Sequence, residues 1–218
     1  MDQIRTVLCF GDSNTYGSSP MTARGDSFRY RPEIRWPMRM AAALGPGWHV
    51  IEEGLPGRTT CHDNPFEGPH KNGLRMLPAI LESHAPIDVI VMMLGTNDLK
   101  GYLGLTAFDI AKGLRTLLLR IRQSAAGPGG GAPAVVLVSP VPIEECGPTA
   151  EGLAGGAEKS RRLTGFCKDL ADEFDAAFLD AGSVATVSEQ DGVHLDPQAH
   201  VALGAAVAEK VACLFARA

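Results

Sequence analysis

The sequence predicts an α/β fold, with three α/β/α layers around a five-stranded, mostly parallel sheet. Strand-like and helix-like segments alternate five times along 218 residues, the pattern of a parallel sheet crossed by helices. The strand-like runs at 7–10 and 89–94 are continuously apolar rather than alternating, as expected of strands covered on both faces. No internal repeat interrupts the alternation, and its one low-complexity segment is a Gly/Pro loop at 127–133. The length suits one good core and is short for two, so residues 1–218 read as a single domain.

The first strand, 7–10, stops at Gly11 and runs into the polar cluster Asp12-Ser13-Asn14-Thr15. Residues 18–35, rich in Ser, Gly, Pro and Arg without a helical period, read as a long loop of the kind that builds a pocket wall or a subunit contact. Trp36, Met40 and Leu44 then recur at helical spacing until Gly45-Pro46-Gly47 ends that helix. Strand two, 48–52, leads into a turn-rich stretch at 53–60 whose glycines permit close backbone approach. A helix at 74–83 and a third strand at 89–94 follow, the strand stopping at Gly95-Thr96-Asn97-Asp98. Ile110, Leu114, Leu117 and Ile121 mark the apolar face of the next helix, and 135–138 is strand four. Residues 140–156 have little periodicity and read as a second pocket-side loop, while Leu163, Phe166, Leu170 and Phe174 outline a helix before strand five at 177–179. The final helix is the best marked: Asp196 caps it, Pro197 takes the first position, where no donor is needed, and Leu203, Val207, Val211 and Leu214 line one side.

Composition excludes several classes of function. Twenty Lys and Arg against 25 Asp and Glu leave a net charge of -5, which disfavours nucleic acid or an anionic membrane as a partner. The one basic run, Arg29, Arg31, Arg35 and Arg39, reads as a solvated loop and helix face. Five cysteines without a C-x-x-C pair fit neither a disulfide framework nor a cysteine zinc site, and suit a reducing compartment. With no apolar leader before the first strand and no later run of bilayer length, the expected location is cytoplasmic.

The strand ends carry the chemistry. Ser13 sits where an open α/β sheet turns outward into a crevice, and a serine hydroxyl becomes a nucleophile only when a base removes its proton. Of six histidines, His194 alone has suitable surroundings: in Asp191-Gly192-Val193-His194 a carboxylate stands three residues earlier across a glycine turn. That spacing can bring Asp191 to Nδ1 and leave Nε2 facing the serine. The same pair can equally serve only turn and capping hydrogen bonds. Donors for a developing oxyanion are available from the Ser13 and Gly57 N–H groups and the Asn97 amide, although Gly57 and Asn97 are also ordinary turn residues. Asp12, Tyr16 and Leu99, adjacent in sequence to these groups, are the candidate substrate-binding residues.

Gly11-Asp12-Ser13, Gly57, Gly95-Thr96-Asn97-Asp98 and Asp191-Gly192-Val193-His194 stand in the order, and at about the intervals, of the four blocks of the SGNH (GDSL-type) hydrolases. The chain resembles that family from residue 7 to the final helix. The resemblance implies a flavodoxin-like five-stranded sheet, Ser13 as nucleophile, His194 as base, Asp191 as its orienter and an oxyanion hole from Ser13, Gly57 and Asn97, with no metal and no cofactor. The phrases at 52–60 and 93–100 look like the arylesterase and acyltransferase branch, which implies small acyl or aryl esters as substrates, water or an alcohol as acyl acceptor, and a homo-oligomer. Two positions depart from the pattern: Asn14 replaces the Leu of the family name, and Tyr16 replaces the Trp of the acyltransferase relatives. Tyr16 and the apolar character near Leu99 favour short acyl groups.

Two other classes compete. The stretch 8–15 also resembles the Asp-x-Asp-x-Thr motif of haloacid-dehalogenase-like phosphatases, with Asp12 as nucleophile and Mg²⁺ as cofactor, but Asn14 stands where the second Asp belongs. A non-catalytic binding protein of the same fold would have no need of nucleophile, base, orienter and donors together. His62, Asp63 and His70 match no metal-ligand spacing and read as a polar loop.

Overall fold

The computed structural model describes residues 4–216. Strands β1 (Arg5–Gly11), β2 (Trp48–Gly54), β3 (Val89–Met93), β4 (Ala134–Ser139) and β5 (Ala177–Asp180) form one sheet in the order β2-β1-β3-β4-β5. Every pairing is parallel, so the sheet is parallel throughout rather than mostly so, and the strand order is that of flavodoxin-like folds. The helices are α1 (Ser13–Tyr16), α2 (Trp36–Leu44), α3 (Gly73–His84), α4 (Ala107–Arg122), α5 (Gly156–Phe174) and α6 (Pro197–Phe215).

Alternation along the strands divides the core in two. Leu8, Phe10, Ile90, Met92 and Leu137 face one way and pack with Leu77 of α3, Leu117 of α4 and Leu170 of α5. Val7, Cys9, Val89, Val91 and Val136 face the other way, against Trp36 and Met40 of α2 and Leu203, Val207 and Val211 of α6. Each such side chain contributes roughly 1.5–3 kcal/mol on burial, which is why the strand sequences contain so little that is polar. The caps behave as their sequences suggest: Asp196 accepts from the Ala199 N–H at 2.8 Å, and Thr106 with Asp109 forms a capping box on α4.

Ser13–Tyr16 forms a single helical turn capped by the Asp12 side chain. Two expectations need correction. The basic run is not uniformly solvated. Arg35 is buried because its guanidinium forms two hydrogen bonds to Glu52, at 2.8 and 2.5 Å, and Arg29 stacks on the Tyr16 ring at 4.2 Å. Finally, α6 is, by length and composition, long and apolar enough to cross a bilayer, contrary to the expectation that no run is. Its Leu203, Val207 and Val211 are buried against α2 and the sheet, the packing of a core helix.

β1 and β3 are neighbours in the sheet, yet the chain leaves β1 for α2 on one face and β3 for α4 on the other, so the loops after these two strands part at their carboxyl ends. That divergence opens a crevice at the carboxyl ends, the place where open α/β sheets hold ligands.

Candidate active site

Ser13 leaves β1 as the first residue of α1, so its N–H has no intrahelical acceptor. Its Oγ lies 3.1 Å from His194 Nε2, across 181 residues of chain. His194 Nδ1 lies 2.6 Å from Asp191 Oδ2. A carboxylate only accepts, so the imidazole proton sits on Nδ1, and Nε2 is left with the lone pair that receives the serine O–H.

The turn that joins the two residues is tightly specified. Asp191 Oδ1 accepts from the main-chain N–H groups of Val193 at 3.0 Å and His194 at 2.9 Å, and Oδ2 accepts from Met21 N–H at 2.9 Å. Gly192 has φ +69, and a Cβ there would stand 1.9 Å from the Glu144 carbonyl oxygen, so this position admits no side chain. Burial alone would raise the Asp191 pKa, but the hydrogen bonds from the His194 ring and main chain outweigh it and hold the carboxyl below its ordinary range. Residues 144–149 brace the same turn: Glu144 N–H donates to Gly192 O at 2.8 Å, Cys146 Sγ to Glu189 O at 3.3 Å, and Thr149 Oγ1 to Asp191 O.

On the opposite side of Ser13, Gly57 and Asn97 line the same cavity. Gly57 has φ +82, and a Cβ on it would meet the Glu67 carboxylate at 2.1 Å. Among the described residues its N–H reaches no main-chain acceptor. Asn97 Nδ2 donates one hydrogen to Arg58 O at 3.1 Å, which leaves the other free to point into the cavity. Behind these donors lie buried ionisable groups. Asp98 accepts from Thr60 N–H and, at 2.6 Å, from Thr60 Oγ1; burial raises its pKa to about 7 despite those bonds. Asp12 is likewise raised by burial, to about 6, while the Asn14 N–H, His194, Arg58 and Thr96 pull the other way. The Arg58 guanidinium donates to Gly11 O at 2.8 Å and to Glu53 O, and lies 4.3 Å from the centre of the Phe10 ring.

The cavity has a volume of about 570 Å³. Its walls include Met21 from the 18–35 loop and Pro148 and Leu153 from the 140–156 loop, the two loops expected to supply them. A third wall that the sequence reading did not single out, Phe66, Glu67, Lys71 and Tyr102, stands at the mouth. Phe66 is 76% and Tyr102 46% exposed, and their rings meet edge-on at 4.9 Å. In the sequence, the available signal was an aromatic, Phe66, set between the turn pairs Asn64-Pro65 and Gly68-Pro69.

Of the three expected substrate-binding residues, none lines the cavity. Asp12 is 1% exposed because its carboxylate turns inward to cap α1, a placement that also denies it the role of attacking nucleophile in a phosphatase. Leu99 is 1% exposed because the helical turn Asn97–Leu99 directs it into the core beside Leu153. Tyr16 is held under Arg29, away from the crevice. His62, Asp63 and His70 form no metal-binding group among the described residues, and Asp63 pairs with Arg75 at 2.6 Å.

A parallel sheet with a serine, a histidine and an aspartate aligned at its switch point has the architecture of hydrolases that cleave acyl bonds. The chain belongs to the GDSL-like lipase/acylhydrolase family, whose model matches residues 9–202, and it is a carboxylic ester hydrolase. Among solved structures, it is similar to a carbohydrate acetylesterase from Sinorhizobium meliloti at 43% identity, covering 97% of this chain and 100% of that one with a TM-score of 0.92. It is similar to the aryl esterase of M. smegmatis at 39% identity, with the same coverage and TM-score. A further carbohydrate acetylesterase family member from S. meliloti is 41% identical over 97% of this chain and 99% of that one, with a TM-score of 0.89. No match was found among curated proteins.

Proposed function

We propose that the chain hydrolyses small acyl esters, acetyl esters above all, through an acyl-enzyme on Ser13. The observation that carries this reading is the unbroken line from Ser13 Oγ to His194 Nε2, at 3.1 Å, and from Nδ1 to Asp191, at 2.6 Å. His194 takes the hydroxyl proton as Oγ attacks the ester carbonyl. The N–H groups of Ser13 and Gly57 and the free amide hydrogen of Asn97 receive the oxyanion. Collapse of the tetrahedral intermediate releases the alcohol with the proton from His194, and water attacks the acyl-enzyme by the same route. An alcohol that competes with water at this step takes the acyl group instead, which makes transfer the finer form of the same activity.

Phe66 and Tyr102 line the mouth, with Glu67 and Lys71 beside them, and in this reading the leaving group lies against them. Flat apolar rings flanked by charged groups suit an aryl ring or a sugar, each of which offers a face for stacking. The similarity to an aryl esterase and to carbohydrate acetylesterases supports both. The test is hydrolysis of an activated acetate ester and labelling by a serine-directed organophosphonate, comparing wild type with Ser13→Ala. Turnover and labelling that both vanish in the variant are expected; wild-type protein that does neither refutes the proposal.

A further inference from the structure

Asn14 was notable in the sequence only as the residue standing where the family name has Leu. In the structure, its side chain is buried and spans to the far end of the chain: Nδ2 donates to Val193 O at 3.1 Å, and Oδ1 accepts from Leu195 N–H at 3.2 Å. These are the main-chain groups immediately before and after His194. Asn14 is itself anchored, its N–H donating to Asp12 Oδ1 at 3.0 Å.

We propose that Asn14 is a positioning residue that sets the distance between the histidine and the nucleophile. The bonds of Asp191 to Val193 and His194 fix the imidazole relative to its own turn and say nothing about where that turn stands relative to α1. Asn14 supplies that second relation. It is covalently next to Ser13, and one planar amide grips both flanks of His194, so nucleophile and base are held in register by a path one side chain long. A leucine of similar size offers neither donor nor acceptor and would leave a buried carbonyl and a buried N–H without these partners. This proposal rests on the serine-esterase reading.

The experiment compares wild type, Asn14→Leu, Asn14→Ala, Ser13→Ala and, as a stability control, Leu117→Val in the core of α4, far along the chain from these contacts. Steady-state kinetics on an activated acetate ester and the rate of phosphonate labelling are measured at a temperature where every variant is folded. Both Asn14 variants are expected to lose kcat by on the order of 10- to 100-fold, the scale of a misplaced catalytic group, with KM within about two-fold and labelling slowed by the same factor. Leu117→Val is expected to lower Tm and leave kcat unchanged. Asn14 variants that turn over within two-fold of wild type overturn the proposal. So does a kcat loss that Leu117→Val reproduces, or a failure of both Asn14 variants to fold, which would make the role structural. An inactive wild type, or activity that survives Ser13→Ala, instead refutes the esterase reading and takes this inference with it.

Discussion

The two sides of Ser13 are held by different physics. On the histidine side, Asp191, Val193, His194 and Asn14 are joined by short hydrogen bonds between a carboxylate held below its ordinary range, main-chain amides and a neutral side-chain amide. On the oxyanion side, Gly57 and Asn97 rest on a layer of buried ionisable groups, Asp12, Asp98 and Arg58. Burial raises both carboxyls and pushes the arginine down to about 10. Asp191 on the first side is ionised throughout the range in which Asp12 and Asp98 on the second, raised to about 6 and about 7, change charge. A proton acceptor is thus fixed by redundancy, and the donors stand on a support that titrates.

Breaking the histidine side should have the largest effect. Asp191→Asn preserves shape but presents an amide to Nδ1, which favours the wrong imidazole tautomer; kcat should fall about 10⁴-fold, measured on the acetate ester. A loss under tenfold would mean that the main chain alone holds the ring. Breaking the oxyanion side costs less. Asn97→Ala should lower kcat by on the order of 10²- to 10³-fold with little change in KM, because the amide acts on charge that exists only in the transition state. A rise in KM with kcat unchanged would place Asn97 in ground-state binding instead.

The smallest effect sharpens the electrostatic half of the contrast. Asp98 has a folded pKa of about 7 against an ordinary 3.8, so the native state keeps a proton that the unfolded chain gives up. Its contribution to stability is fully present below the unfolded value and is lost as pH rises towards about 7. Asp98→Asn has no such titration, so the difference in Tm between variant and wild type should shift in favour of the variant between about pH 4 and pH 8. Scanning calorimetry checks this, and parallel curves would remove Asp98 from the account. Taking the difference matters because His200, buried and lowered to about 4, makes an opposite contribution that both proteins share.

The sequence revealed residues whose chemistry demands a particular type, and it hid those whose place depends on distant contacts. Ser13, Gly57, Asn97 and His194 were legible because each sits at a strand end or a glycine turn, where local rules determine the direction of the chain. Tyr16 and Leu99 were misplaced for a related reason: nearness in sequence to a site residue does not mean the same facing, and one helical turn sends Leu99 into the core. Arg35 looked solvated until Glu52, on a neighbouring strand, supplied its partner. Phe66 and Tyr102 come from separate loops, and nothing local announces that they meet.

The segment 144–153 does two jobs at once. Pro148, Thr149 and Leu153 line the cavity, while Glu144, Cys146 and Thr149 carry the turn that holds Asp191. A lineage drifting towards bulkier esters would therefore meet epistasis here: exchanges that widen the wall also unsettle the base. Among the described residues the aromatic rim at 66 and 102 is tied to Asn64 rather than to that turn, with Asn64 Nδ2 donating to Tyr102 Oη at 2.8 Å and Oδ1 accepting from Phe66 N–H at 3.0 Å, and it is the cheaper place for new specificities to arise.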